Sequence, residues 1–314
     1  MNKIASLVPL SFLLLGCGSS TSSSSLTSDI VPISNEEPAM VTPEYDIPDD
    51  ETLKGLGDAN NIAFDVSRVQ TDEDSPLFGK TIYWLGSSVT YGSAAGGISM
   101  ADYLAKKTGA ICKKDAVSGT TLLDDGLSEN TGLKSYVRRL KNSEVFDLNE
   151  EIDAFICQIS TNDCYGTRVE KRGELTGEKV VNFEDFDVAT TLGAMEFIVS
   201  YVNEMWGCPV YFYSGARFGD GNDKTKRENN NPKGSDYGVL VNQTIELVAK
   251  WNKFSYVEAG VIDLYNDDAF NEAASDAYYA WATSDPIHPK KAGYLQWWEP
   301  YFEAYLNNAI GEKF

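Results

Sequence analysis

Short apolar runs alternate with amphipathic segments along the chain from Gly79 onward. The apolar runs predict strands at Thr81 to Leu85, Ala110 to Val117, Asp153 to Ile159, Val210 to Ser214 and Ser255 to Val257. The amphipathic segments predict helices at Ser99 to Lys107, Leu133 to Lys141, Ala189 to Trp206, Ser235 to Trp251 and Ala292 to Ala309. Because strand and helix alternate, we expect parallel strands with right-handed crossovers and helices on both faces of the sheet.

One predicted helix contains a long apolar stripe. Its members follow helical spacing: Leu192, Met195, Val199, Val202 and Met205. We interpret this stripe as a core-facing surface rather than as part of a cofactor site. In a sheet of parallel strands, functional residues are expected in the loops at the carboxyl ends of the strands.

The first sixteen residues are predicted to be a signal peptide rather than part of the fold. Lys3 provides a basic start, Ile4 to Leu15 is an apolar run too short to span a membrane as a helix, and Gly16 precedes Cys17. This pattern resembles the lipobox of bacterial lipoproteins, which implies that Cys17 is acylated and becomes the new amino terminus. The alternative is an ordinary secretory signal cleaved nearby. We therefore expect an exported protein, lipid-anchored to the membrane of the bacterial cell envelope through Cys17.

Residues 17–53 are predicted to form a flexible acidic tether. Nine of the ten residues from Ser19 to Ser28 are Ser or Thr, and four prolines follow among acidic residues. Such a composition buries too little apolar surface to offset the entropy of ordering the chain, and its prolines and like charges keep it extended. The folded domain is accordingly expected at residues 54–314.

The charge balance narrows the class of partner. The chain has 26 Lys and Arg against 47 Asp and Glu, a formal net charge of −21. This charge disfavours binding to nucleic-acid phosphates and to anionic lipid surfaces, and it favours neutral or cationic partners. His288 is the single histidine, which excludes a histidine-rich metal centre and leaves one candidate for histidine-dependent chemistry.

Polar loops at the predicted strand ends contain the candidate chemistry. They are Gly86-Ser87-Ser88, Ser118-Gly119-Thr120, Ser160-Thr161-Asn162-Asp163 and, near the carboxyl end of the chain, Asp285-Pro286-Ile287-His288. Each motif alone is compatible with an ordinary turn. Together they place a serine, a glycine, an asparagine amide and an Asp-x-x-His pair in order along the chain.

In these blocks the chain resembles the SGNH hydrolases, also called GDSL hydrolases, over roughly Lys80 to Gly293. Two positions depart from the family pattern: Ser87 replaces the aspartate of the first block, and Ser160 stands where the third block usually has glycine. The resemblance implies a flavodoxin-like three-layer α/β/α sandwich with a central parallel five-stranded sheet. It also implies a carboxylic ester hydrolase with no cofactor and no metal.

The residue types are those of an acyl-transfer site. A serine nucleophile needs a base within hydrogen-bond reach, and the base needs a third group to hold its tautomer; the catalytic candidates are Ser88, His288 and Asp285. The resemblance implies an oxyanion hole made of the backbone N–H groups of Ser88 and Gly119 and the side-chain amide of Asn162. Because the base must be neutral, activity is expected to rise with pH as His288 loses its proton.

The sequence motifs of two other enzyme classes do not match this chain. The serine turn has the pattern Gly-x-Ser-x-Thr, which differs from the Gly-x-Ser-x-Gly of α/β-hydrolases, and a phosphate-binding Gly-x-x-x-x-Gly-Lys is absent from the sequence. Cys112, Cys157, Cys164 and Cys208 allow three disulfide pairings, none of which the sequence favours. Cys157 is expected to be a small buried residue within the third strand.

Several substrates are compatible with these residues. Tyr278, Tyr279 and Trp281 precede the Asp285 loop and are suited to stacking on a sugar, lining an acyl pocket or packing in the core. Phe218 to Asp236 is long enough for a lid or a surface segment. The envelope location and the acidic surface favour a neutral carbohydrate or related ester over an anionic phospholipid. The loops at the strand ends are polar and offer no continuous apolar groove, which favours short acyl groups such as acetyl on a small-molecule or polysaccharide ester. An O-acyltransferase on envelope glycans, a lipase or lysophospholipase and a non-catalytic binding lipoprotein are the alternatives.

Overall fold

The computed structural model describes residues 43–126, 134–176, 182–218, 232–253 and 258–311. Within these ranges, parallel strands form one sheet in the order β2-β1-β3-β4-β5. The strands are β1 Thr81–Gly86, β2 Ile111–Ala116, β3 Ala154–Gln158, β4 Val210–Tyr213 and β5 Ala259–Ile262. This is the strand order of flavodoxin-like sheets, so the predicted fold class is confirmed.

Helices connect the strands and cover the sheet. The α-helices are α1 Asp50–Leu53, α2 Ser88–Tyr91, α3 Met100–Thr108, α4 Tyr136–Lys141, α5 Thr191–Met205, α6 Pro232–Trp251, α7 Asp268–Ala273, α8 Asp276–Ala282, α9 Lys291–Gly293 and α10 Glu299–Leu306. Two π-helical segments, Tyr294–Trp298 and Asn307–Gly311, follow α9 and α10. Short 3₁₀ helices lie at Ile62–Phe64, Val66–Arg68, Ser93–Ala95, Thr161–Cys164, Gly166–Lys171 and Phe183–Asp185.

The sheet separates two hydrophobic cores, as expected for a sheet covered on both faces. On β1, Tyr83 and Leu85 pack with residues of α4, α5 and α6, whereas Ile82 and Trp84 pack with residues of α3 and α10. The predicted apolar stripe of α5 belongs to the first of these cores, with Leu192, Met195, Val199 and Val202 buried and Met205 partly buried against it. Its interpretation as a core-facing surface is confirmed.

The fifth strand is not at the predicted place. It was predicted at Ser255 to Val257, whereas the strand that pairs with β4 is Ala259–Ile262, with Ala259 opposite Val210. Residues 254–257 lie outside the described ranges. Ala and Gly are weak strand formers, so the β5 sequence gives little signal. Gly260 is nevertheless required there, because a Cβ atom at this position would collide with the ring of Tyr211 and the hydroxyl of Tyr305.

The amino-terminal part of the described chain packs on the domain before residue 54. The ring of Tyr45 lies 6.3 Å from that of Phe270, and Leu53 is buried. Contacts with the domain thus begin within the segment predicted as tether. The predicted signal peptide, Cys17 and the tether up to residue 42 lie outside the described residues. None of the helices in the described ranges has the length and apolar character needed to cross a membrane.

Among the described residues, Cys112, Cys157 and Cys208 are free thiols. Cys157 is fully buried in β3, as expected for a small apolar residue. Burial raises the pKa of the Cys157 thiol, which disfavours the thiolate that nucleophilic chemistry requires.

Candidate active site

Ser88 stands at the sharp turn between β1 and α2. At Gly86, the last residue of β1, a Cβ atom would collide with the side chain of Thr90, so only glycine allows this turn. Ser87 is fully buried, whereas Ser88, the first residue of α2, is partly exposed. Of the two neighbouring serines, Ser88 is the one whose hydroxyl a substrate can reach.

The structure brings Ser88, His288 and Asp285 together in one chain of hydrogen bonds. The Nε2 atom of His288 lies 2.7 Å from the Oγ atom of Ser88. The Nδ1 atom of the same ring lies 2.7 Å and 2.9 Å from the two carboxylate oxygens of Asp285. These are the contacts that a serine, its base and an orienting carboxylate require.

The Asp285 carboxylate is held in its ionised form. Burial by itself raises its pKa, but hydrogen bonds from His288 and from the backbone N–H groups of Ile287 and His288 outweigh burial and lower the pKa to about 2. Its Oδ1 atom accepts these two backbone bonds at 2.8 Å and 2.9 Å. Asp285 is therefore fixed in place and charged when it faces the imidazole.

Backbone contacts close the loop that bears Asp285 and His288. Thr283 and Pro289 form an antiparallel bridge across it, and the Ser284 N–H donates to the His288 carbonyl at 3.0 Å. The Tyr279 hydroxyl donates to the Pro286 carbonyl. These contacts fix the backbone of the loop and therefore the positions of Asp285 and His288 relative to each other.

The loop after β2 and the turn after β3 meet beside the carboxyl end of β1, the strand that precedes Ser88. Gly119 has a φ of 81°, in the region that favours glycine. The Asn162 side-chain amide donates one hydrogen to the Thr120 carbonyl at 2.9 Å. An asparagine NH₂ group carries two hydrogens, so one remains for a substrate oxygen. The two loops that were predicted to contribute to an oxyanion hole are therefore in direct contact.

Ser160, which stands in place of the usual glycine, supports the Asn162 turn. Its Oγ atom accepts a hydrogen bond from the Asn162 N–H at 3.1 Å and donates to the Thr120 carbonyl at 3.3 Å. It therefore acts as a side-chain cap of the short helix Thr161–Cys164. The departure at this position adds contacts between the two loops.

Asp163 ties the same two loops together from inside the protein. Its carboxylate accepts hydrogen bonds from the Leu122 N–H at 2.9 Å and from the Leu123 N–H at 3.2 Å. Burial is the largest influence on this group and raises its pKa to about 6, although these backbone hydrogen bonds act in the opposite direction. Asp163 is a structural neighbour of Asn162 rather than a group that faces substrate.

We expect Asp163 to make stability depend on pH with a definite sign. Its folded-state pKa of about 6 exceeds the ordinary value, so its contribution to the free energy of unfolding is present below about pH 4 and lost as the pH rises through 6. Between about pH 4 and 6, the free energy of unfolding of the wild type should fall by up to about 1.4 kcal/mol per pH unit relative to that of Asp163→Asn. Urea denaturation at several pH values measures the difference, with the exposed Asp74→Asn as control. A difference that does not vary with pH would contradict this assignment.

Arg139 is part of the site although the sequence did not indicate it. Its guanidinium donates to the Gly86 carbonyl at 2.7 Å and to Thr120 Oγ1 at 3.3 Å, and it pairs with the carboxylate of Asp115. It thus connects the end of β1 to the loop after β2. A basic residue in a helix with two other basic residues is normally expected at the surface, so only the fold reveals that Arg139 is buried.

The aromatic residues before the Asp285 loop have different environments. Tyr278 and Tyr279 are fully buried in the core, so stacking on a sugar is excluded for these two rings. Trp281 is partly exposed, packs on Phe64 with ring centroids 5.5 Å apart, and donates to the Gly57 carbonyl at 2.6 Å. Of the three, Tyr279 supports the loop directly, through its hydrogen bond to the Pro286 carbonyl.

Most of the segment considered as a lid lies outside the described residues, which resume at residue 232. Phe218, at its start, is buried and packs on Tyr237 with ring centroids 5.7 Å apart.

No protein-family model matches the chain, and no curated protein matches it. Among solved structures, the chain is similar to a protein from Lactobacillus plantarum at 21% identity, covering 73% of this chain and 97% of that chain with a TM-score of 0.52. A second solved structure is 19% identical, and the match covers 75% of this chain and 99% of that chain with a TM-score of 0.50. A carbohydrate acetylesterase family member from Sinorhizobium meliloti is 15% identical, and the match covers 74% of this chain and 99% of that chain with a TM-score of 0.46.

At these levels of identity the likeness concerns the fold. The two structures with TM-scores of 0.52 and 0.50 are each covered almost completely, so the fold of this domain is shared by whole proteins rather than by fragments. The three-layer α/β/α architecture that the sequence resemblance implied is therefore confirmed as the fold of this chain.

Proposed function

We propose that this protein is a carboxylic ester hydrolase of the SGNH type, with Ser88 as nucleophile, His288 as general base and Asp285 as the group that orients it. The supporting observation is the continuous chain of hydrogen bonds from Ser88 through His288 to Asp285, with 2.7 Å at both junctions. A protein that only binds a ligand has no need of this arrangement, which disfavours the non-catalytic alternative.

In the proposed reaction, the Ser88 Oγ atom attacks the carbonyl carbon of the ester while its proton passes to His288 Nε2. The tetrahedral intermediate collapses, the bond to the alcohol oxygen breaks, and His288 returns the proton to that oxygen. Water then attacks the acyl-serine with the same proton transfers and releases the acid. Asp285 accepts the Nδ1–H bond throughout and stabilises the imidazolium without becoming protonated itself.

The negative oxygen of the intermediate needs donors that are in place before the reaction. We propose the Ser88 and Gly119 backbone N–H groups and the free hydrogen of the Asn162 amide for this role. The bond from Asn162 to the Thr120 carbonyl supports the proposal, because it holds the amide against the Gly119 loop. Each such donor typically contributes about 3 kcal/mol to transition-state stabilisation.

The acyl group is proposed to be short. A small cavity lies beside the nucleophile turn and is lined by Val89, Thr161 and Ile287, the sequence neighbours of Ser88, Asn162 and His288. Trp297 and Trp298 also line it, and its volume is about 10 Å³, roughly the space that one water-sized group needs. This cavity is too small for a long acyl chain, which would find little buried apolar surface there.

A carbohydrate or related neutral ester is the proposed alcohol part of the substrate. The net charge of −21 disfavours anionic phospholipid surfaces. Tyr91, one helical turn after Ser88, and Tyr165, just after the Asn162 turn, are exposed aromatic residues that offer flat surfaces to a ring. Attachment to the cell envelope through a lipid on Cys17 is part of the same proposal, since glycans of the envelope are then within reach.

We expect kcat/KM to fall, or at most to stay level, from p-nitrophenyl acetate to p-nitrophenyl octanoate. The reason is that each methylene contributes roughly 0.8 kcal/mol only where apolar surface buries it. A panel of esters of increasing chain length measures this, with Ser88→Ala giving the background rate. A tenfold or greater rise toward octanoate would contradict the short acyl pocket and would favour a lipase or lysophospholipase.

Product analysis on acetylated xylan separates the remaining alternative. Free acetate as the main product supports the hydrolase, whereas acetyl transferred to a sugar hydroxyl identifies an O-acyltransferase that uses the same three residues. The two reactions differ only in the acceptor that attacks the acyl-serine.

A further inference from the structure

A buried glutamine on the neighbouring strand contacts the nucleophile turn. Gln158, the last residue of β3, is 2% exposed. Its Oε1 atom accepts hydrogen bonds from the Ser87 N–H at 2.9 Å, the Thr90 N–H at 3.2 Å and the Thr90 hydroxyl at 2.8 Å. We propose that Gln158 is a positioning residue, which caps the nucleophile helix α2 and thereby holds Ser88 in line with His288. The inference rests on the proposed function.

Helix α2 lacks a side-chain cap from its own N-cap residue. The first N–H groups of a helix have no partner within it and need other acceptors. Commonly the N-cap side chain accepts from the N–H three positions later, but Ser87 makes no such bond. That N–H belongs to Thr90, and Gln158 accepts it instead. The cap of this helix thus comes from a different strand.

The choice of N–H groups is compatible with an oxyanion hole. Gln158 accepts from the N–H groups of Ser87 and Thr90, which lie on either side of Ser88, and makes no bond to the N–H of Ser88. A cap that accepted from the Ser88 N–H would occupy a donor proposed for the oxyanion. The geometry therefore stabilises the turn while leaving this donor to the substrate.

The orientation of the Gln158 amide follows from its partners. Two backbone N–H groups can only face its oxygen, so the NH₂ group points away from the turn. The Thr90 hydroxyl also lies 2.6 Å from the hydroxyl of Tyr213, which extends the network to β4. At Gly86, a Cβ atom would come within 2.9 Å of the Gln158 oxygen, so the turn and the amide fit together closely.

The test replaces the acceptor while keeping an unbranched side chain of similar length. Gln158→Met should lower kcat by at least about 30-fold, with KM within about threefold of the wild type, because the transition state loses an aligned nucleophile while substrate binding is retained. Amide hydrogen exchange in the peptide that contains Ser87 to Thr90 should become faster. Gln158→Glu, which keeps an acceptor oxygen, should restore slow exchange and recover at least about tenfold in kcat over Gln158→Met.

The matched control is Thr108→Val, at the other end of the sheet. The Thr108 hydroxyl donates to the Leu104 carbonyl at 2.7 Å and accepts from the Ala110 N–H at 3.3 Å, so its removal should lower stability without changing kcat. If Gln158→Met does not fold, Gln158→Asn takes its place, because its shorter amide cannot reach both N–H groups; the same fall in kcat is expected.

The outcomes distinguish this inference from the proposed function. A wild-type protein that hydrolyses no ester overturns the proposed function, whatever the exchange rates. A Gln158→Met or Gln158→Asn protein with kcat within threefold of an active wild type overturns the positioning role alone. Equal loss of kcat in Gln158→Met and Gln158→Glu also overturns it, since the acceptor oxygen would then have no part in activity.

Discussion

Replacing Ser88 with alanine is expected to abolish labelling by a fluorophosphonate and to lower kcat by about 10⁵-fold or more. The Oγ atom of Ser88 is the atom that His288 contacts, at 2.7 Å, and it is the atom that would form the bond to the acyl group. Without it, only binding and oxyanion stabilisation remain to accelerate hydrolysis. Labelling followed by peptide mass analysis, together with ester hydrolysis, measures both effects.

Ser87→Ala is the matched control for this prediction. Ser87 adjoins the nucleophile in sequence but is fully buried, and the hydrogen bonds that join Ser88, His288 and Asp285 do not include its side chain. Its loss should leave labelling intact and change kcat only modestly, because no contact of the triad is removed. Retained labelling in Ser88→Ala together with lost labelling in Ser87→Ala would reverse the assignment.

Asp285→Asn is expected to lower kcat by about 10⁴-fold while the protein stays folded. The amide can no longer accept the Nδ1–H bond with a charged oxygen, so His288 loses both the tautomer and the electrostatic support that a base needs. Circular dichroism and thermal unfolding check that the fold is retained. A variant with kcat within tenfold of the wild type would show that Asp285 does not orient the histidine.

The dependence of kcat/KM on pH in the wild type provides a second measurement on Asp285 and His288. Because the pKa of Asp285 is lowered to about 2, its contribution to stability is present above the ordinary aspartate value and is lost only in strong acid. Between about pH 5 and 9 this carboxylate stays ionised, so Asp285 is not the source of the rise of kcat/KM with pH that a neutral base requires. A profile that stays flat over this range would contradict a histidine base.

Residues of the candidate site could be predicted because their chemistry is local in sequence. Asp285 and His288 lie three positions apart on one loop, and Ser88 and Asn162 each follow an apolar run that ends in a polar turn. Parallel strands bring such turns to one edge of the sheet, so the order of the motifs was enough to expect them together. The hydrogen bonds among Ser88, His288 and Asp285 agree with that expectation.

Residues that support the site could not be predicted in the same way. Gln158 and Arg139 are polar residues of a strand and a helix, and in the sequence nothing separates them from solvent-facing side chains. Their function as supports depends on burial beside Gly86, which only the packing of β3 and α4 against β1 creates. The fifth strand was misplaced for a related reason: Ala259 and Gly260 are weak strand formers that tertiary packing selects.

The sequence by itself determined the alternation of strands and helices, the parallel sheet it requires, the apolar face of α5 and the residue types of an acyl-transfer site. These follow from periodicity and from motifs, which are properties of neighbouring residues. Only the tertiary structure decided that Tyr278 and Tyr279 are core residues and that Gln158 caps the nucleophile helix. Both depend on which side chains the fold brings together. Contacts between residues that are far apart in the chain leave no mark on the pattern of neighbouring residues, so the sequence pattern does not reveal them.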